Sequence, residues 1–142
     1  MIKINSIKDI KTEIEISFTP QVKTYNISTA LMSDECKPYR VAQSAMLWIN
    51  HEGYLGEIEC IYTEKVDKPQ CKYSKVINQV NGFPQFEINT CDNEAYIQDF
   101  EDGFIIWLSK NKLINTKVSY GDLIFLLSEK ELVAIVAMHI MI

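Results

Sequence analysis

The chain has 142 residues, 47% of them hydrophobic and 11% aromatic, with only five glycines and four prolines. This composition suits one globular domain with a buried core and excludes a disordered or fibrous protein. A net charge of −5 repels a phosphate backbone and sets nucleic acid aside as a partner.

The first sixteen residues, MIKINSIKDIKTEIEI, lack a basic start followed by an apolar stretch and a small-residue cleavage site, so a cytosolic address is expected. Cys36, Cys60, Cys71 and Cys91 are accordingly read as reduced thiols. Ile14, Ile16 and Phe18 alternate with Glu13, Glu15 and Ser17, the period of a half-buried strand, and Pro20 ends it. Val22 to Ser28 reads as the returning strand. Ser28 to Pro38 loses both periods and is expected as a loop or a short helical turn.

Arg40 to Ile49 leads into Asn50-His51-Glu52-Gly53, four polar or flexible residues between apolar runs, which is a hairpin loop. Gly53 supplies the positive φ that closes such a loop. On the outgoing arm, Tyr54, Gly56, Ile58, Cys60 and Tyr62 point one way and form the better core face. Leu55, Glu57, Glu59 and Ile61 point the other. Thr63 to Ser74 is the most polar stretch and reads as the main connection.

Lys75 to Val80 is expected as a short helix stopped by Asn81-Gly82 and Pro84. Phe86 to Cys91 reads as a strand, Asp92-Asn93-Glu94 as a turn, and Tyr96 to Phe100 as a strand. Glu101-Asp102-Gly103 is a hairpin signal before the buried strand FIIWL, residues 104–108. Turns are expected around Lys112 and at Tyr120-Gly121-Asp122.

Ser128-Glu129-Lys130-Glu131 matches the capping box of a helix. A helix over Leu132 to Ile142 would be apolar on every side, whereas a strand covered on both faces needs such a run, and the strand is preferred. With His139 inside it, the run falls far short of the roughly 20 residues of a membrane-spanning helix. Residues Leu126 to Val136 also lie over Trp48 to Ile58 in the order bulky pair, polar loop, aliphatic pair, small residue. The expectation is one domain over 1–142, built from two weakly related halves, 1–66 and 75–142.

The fold class expected is mainly β, with α+β as the alternative: an antiparallel sheet or sandwich with one or two short helices. The string from Trp48 to Ile58, with its Tyr-Leu-Gly-Glu-Ile ending, resembles the closing hairpin of short, strand-rich bacterial domains without a settled activity. That resemblance implies fold rather than function.

Catalytic motifs are absent from the sequence. There is no phosphate-cradling glycine loop, dinucleotide fingerprint or serine elbow. The cysteines lack the close pairing of a zinc site, so no metal or cofactor is expected. His51 reads as an exposed turn residue and His139 as a core or edge histidine satisfied by one hydrogen bond. Glu57 and Glu59 share a strand face about 7 Å apart, and Asp99, Glu101 and Asp102 form a second acidic group.

These features favour a non-enzymatic protein that engages another, basic protein, in the manner of an immunity or antitoxin protein. Glu57, Glu59, Asp99, Glu101 and Asp102 would steer the partner and Tyr54 and Tyr62 would anchor it. Two alternatives stand beside this reading. One is a small-molecule binder or unusual hydrolase with a pocket where Trp48, Trp107 or a tyrosine meets an acid. The other is a self-associating protein whose homodimer covers the apolar terminal strand.

Overall fold

A computed structural model describes residues 1–89 and 93–140, and within them the chain is almost entirely β. In chain order the strands are β1 (Ile2–Lys8), β2 (Ile14–Thr19), β3 (Thr24–Thr29), β4 (Lys37–Ala42), β5 (Ala45–Ile49) and β6 (Leu55–Ile61). They continue as β7 (Lys72–Asn81), β8 (Phe83–Ile88), β9 (Tyr96–Phe100), β10 (Gly103–Trp107), β11 (Leu113–Tyr120), β12 (Leu123–Ser128) and β13 (Glu131–Met138). Apart from one 3-10 turn at Pro20–Val22, the described residues contain no helix.

The strands form two sheets. The smaller has the order β2-β3-β6-β5-β4, and all its pairs are antiparallel. The larger runs β7-β11-β12-β13-β1-β8, with β10 also pairing β13 and carrying β9 on its far side. Among the described residues its strands pair antiparallel except β7 with β11, which run parallel. Alternation places Ile16, Ile27, Ile58 and Leu47 on the inner face of the smaller sheet, where they join Phe104, Ile106, Phe125, Leu132 and Ile135 of the larger sheet in one core cluster. Tyr25 and Phe104 meet across this seam with ring centroids 4.8 Å apart.

The larger sheet is covered on its other face as well. Trp107, Leu126, Val133 and Ala134 pack there with Cys71 and the partly buried Val66, both from the long polar connection. β13 therefore contributes to both clusters, with Leu132, Ile135 and Ala137 on one side and Val133 and Ala134 on the other. Its unbroken apolar sequence follows from burial on both faces. The capping-box residues form a hairpin turn instead, with Glu129 at φ 57°.

Two local expectations are corrected. The segment expected as a helix, Lys75 to Val80, lies inside strand β7. Its Tyr, Val and Ile side chains favour extended backbone, and β11 offers the ladder it joins, from Leu113↔Lys72 to Ser119↔Asn81. Asn81-Gly82 turns the chain into β8 rather than capping a helix, and Pro84 sits within β8. Among the described residues β8 pairs only with β1 and so lies at the edge of its sheet, where a proline is tolerated. Second, His139 stands just beyond β13, exposed and at φ 63°, instead of within the strand.

The hairpins over Trp48 to Ile58 and Leu126 to Val136 both carry a register shift, between Trp48 and Ile49 and between Leu126 and Leu127. Their loops differ in length, because the first closes on the pair Ile49↔Leu55 and leaves residues 50–54 unpaired, whereas the second closes on Ser128↔Glu131 and leaves only Glu129 and Lys130. β13 is flanked by β12 and by β10 and β1, so it presents no free edge for a second subunit to cover. Cys91 and Asp92, expected at a strand end and a turn, lie outside the described residues, as do Met141 and Ile142. No helix among the described residues is long and apolar enough to cross a membrane.

Candidate functional site

The anchoring hairpin positions the first candidate surface. Asn50 accepts through Oδ1 the backbone N–H groups of Glu52, at 3.0 Å, and Tyr54, at 2.9 Å, which fixes the loop. Gly53, at φ 93°, turns the chain so that its carbonyl takes the Phe86 N–H at 2.7 Å. A Cβ at this position would stand 3.0 Å from the Phe86 carbonyl oxygen. The hairpin tip thus docks on β8, and Tyr54 is drawn inward beside Phe83, 6% exposed. Tyr54, expected as a surface anchor, is a core residue.

The outer face of the smaller sheet is different. One rung reads Glu15, Ser28, Glu57, Trp48, Pro38, and the next Ser17, Asn26, Glu59, Met46, Arg40. Every one of these residues is half-buried or exposed, and no strand of the larger sheet lies over them. Asn26 donates from Nδ2 to Glu57 Oε2 at 2.9 Å, which holds that carboxylate upright on the sheet. Glu57 and Glu59 therefore share a face, with Trp48 and Met46 beside them. Trp48, expected only as the wall of a pocket, and Glu15, expected only as a strand residue, join this face because strand pairing places Trp48 beside Glu57 and Glu15 at the end of the same rung.

Asp99, Glu101 and Asp102 do not gather into one acidic site. Asp99, on β9, accepts the Tyr25 hydroxyl at 2.8 Å and pairs with the Lys65 ammonium at 2.8 Å. Lys65 is carried there by a short bridge to β9, in which Val66 N–H donates to the Ile97 carbonyl at 2.8 Å and Ile97 N–H to the Glu64 carbonyl at 2.9 Å. Burial first, then the hydrogen bond to Asp99, raise the Tyr25 hydroxyl above its usual pKa. The bond to Asp99, then that to Tyr25, raise Lys65 likewise. Asp102, in the β9–β10 turn, faces His139 at 3.6 Å, while His139 Nδ1 lies 2.9 Å from Asp122 Oδ1. The Asp122 carboxylate raises the His139 pKa.

At the seam between the sheets lies a cavity of about 470 Å³ lined by Phe18, Pro20, Lys23, Tyr25, Tyr62, Thr63 and Lys65. Its rim is built from two non-glycine residues in left-handed conformation, Lys23 at φ 45° and Tyr62 at φ 51°. The Tyr62 N–H donates to the Lys23 carbonyl at 3.1 Å. This backbone turns Tyr62 away from the core face that alternation had assigned to it and leaves it 65% exposed.

The chain matches no family model and is similar to no curated protein.

Other expected chemistry is dispersed. His51 is 75% exposed in its turn, and His139 is exposed beyond the end of β13. Trp107 is 2% exposed and donates to Gln98 rather than to an acid, at 2.9 Å. Cys36, Cys60 and Cys71 are free and buried. Desolvation pushes the Cys60 thiol up to about 12, so it carries no thiolate at neutral pH. Among the described residues no group of three histidine, cysteine or acidic side chains is placed to hold a metal.

Proposed function

We propose that this chain is a cytosolic, non-enzymatic binding protein that engages a basic protein surface through the outer face of its smaller sheet. The observation that carries this reading is the outer pair of rungs in which Glu57 stands beside Trp48 and Glu59 beside Met46, with Glu15 at the far end of the first rung and Arg40 at the end of the second. Carboxylates beside a half-buried tryptophan combine long-range attraction for a cation-rich partner with an apolar contact, a make-up suited to binding a protein surface. A net charge of −5 adds to the steering. Capping a basic toxin, as immunity and antitoxin proteins do, is the concrete form of this role.

The test is calorimetric titration with the purified product of a neighbouring gene that encodes a basic protein, at low and high ionic strength. Affinity is expected to fall as salt rises, and to fall about tenfold or more when Glu57→Lys and Glu59→Lys are combined. Binding indifferent to salt and to both substitutions would overturn the reading.

A further inference from the structure

The seam cavity has a chemistry opposite to that of the molecule around it. In a chain of net charge −5, the only charged residues of its lining are Lys23 and Lys65. Its remaining walls are the rings of Phe18, Tyr25 and Tyr62, with Pro20 below and Thr63 beside them.

The two lysines differ. Lys65 is neutralised by Asp99 and held with its ammonium 5.8 Å from the Phe18 ring centroid and 5.7 Å from that of Tyr25. No carboxylate among the described residues pairs with Lys23. The pocket thus has an aromatic floor, a fixed lysine at the back and an unpaired lysine at the rim.

The rim itself is a second, independent sign. Lys23 takes the left-handed conformation as the residue that closes the 3-10 turn Pro20–Val22, its N–H donating to the Pro20 carbonyl at 3.2 Å, whereas Tyr62 takes it outside any helix end, where glycine or asparagine would be accommodated with less strain. That conformation is what holds the Tyr62 ring out over the cavity, while the Tyr62 N–H to Lys23 carbonyl bond locks the two rim residues together. Strained backbone clusters at ligand-contact sites, and here it sets a large aromatic ring over a cavity.

We infer that this cavity is a binding site for a small, planar aromatic anion, whose ring lies against Phe18, Tyr25 and Tyr62 and whose carboxylate or phosphate meets the Lys23 ammonium. A volume of about 470 Å³ is within the range of small-ligand pockets and accommodates one ring system with a charged substituent. The site opens at the seam between the sheets, so it is separate from the acidic outer face and does not depend on the role proposed for that face.

Fluorine NMR gives a direct test, with 4-fluorobenzoate, 4-fluorophenyl phosphate and the neutral 4-fluorobenzyl alcohol titrated separately against the whole chain. Either anion is expected to bind more tightly than the alcohol, and the better of the two identifies the charged group preferred. Lys23→Asn and Tyr62→Asn keep a residue that tolerates the left-handed backbone, so the fold should be retained, as circular dichroism would verify.

Lys23→Asn should weaken the anion about fivefold to tenfold and leave the alcohol unchanged, whereas Tyr62→Asn should weaken all three probes. Absence of binding by both anions, equal binding of the alcohol, or an anion affinity unaltered by Lys23→Asn would each overturn the inference.

Discussion

Tyr25, Lys65 and Asp99 come from a strand of the smaller sheet, the long connection and a strand of the larger sheet, and their contacts tie the three together. Both proton donors hold their protons to higher pH in the folded chain than their ordinary values of 10.0 and 10.5. Their contribution to stability is therefore complete below pH 10 and is lost as pH rises through the folded-state values, when the unfolded chain releases the protons first. Urea denaturation across that range should show declining stability, less steeply in Asp99→Asn. At neutral pH that variant should lose about 1 to 2 kcal/mol, chiefly from the buried tyrosine's bond to a charged acceptor, because the exposed ion pair is worth little. An alkaline profile identical in the two proteins would contradict this account. Tyr54 and Tyr62 mark the limit of reading single positions from sequence. Period-two alternation put both on one face of a strand, which holds only while the backbone stays extended. The first is buried on that core face by docking of the hairpin tip, which rules out the surface role also expected of it, and a left-handed turn turns the second out.

Strands were more legible than the contacts between them. The hairpin at Asn50 to Gly53, the one at Glu101 to Gly103 and the doubly buried β13 all announce themselves through local turn chemistry or continuous apolarity. β7 does not, because a polar ten-residue strand at a sheet edge has neither a buried face nor an alternating one. Nearly every residue in it is exposed, Val76 to 76%, and its extended form is imposed by β11. The outer acidic face was only half visible for the same reason, since Glu57 and Glu59 share a strand but their cross-strand neighbours are distant in sequence. This contrast predicts the order of amide hydrogen exchange. Residues of β12, β13 and β10 should be the slowest in the chain and those of β7 the fastest among strands. Equal protection in β7 and β13 would show that β7 is more firmly held than its exposure implies.

One core cluster joins both sheets, so the smaller sheet shares its apolar interior with the larger, which carries a second, smaller cluster on its other face. Phe104, fully buried and in ring contact with Tyr25, belongs to that shared interior. Phe104→Ala should cost about 3 to 5 kcal/mol, with tryptophan fluorescence and far-ultraviolet circular dichroism still reporting one coincident transition. Trp48 lies in the smaller sheet and Trp107 in the larger, so separate transitions would be seen directly and would mean that the sheets unfold independently. The ladder of the larger sheet also has a consequence for synthesis. β1 leaves the ribosome early, yet its partners are β8 and β13, the last of these at residues 131–138. The smaller sheet can pair as soon as residues 14–61 have emerged, while the apolar side chains Ile2 and Ile4 must wait for most of the polypeptide to be translated. During that interval β1 is an unshielded, sticky strand, and chaperone demand should concentrate there.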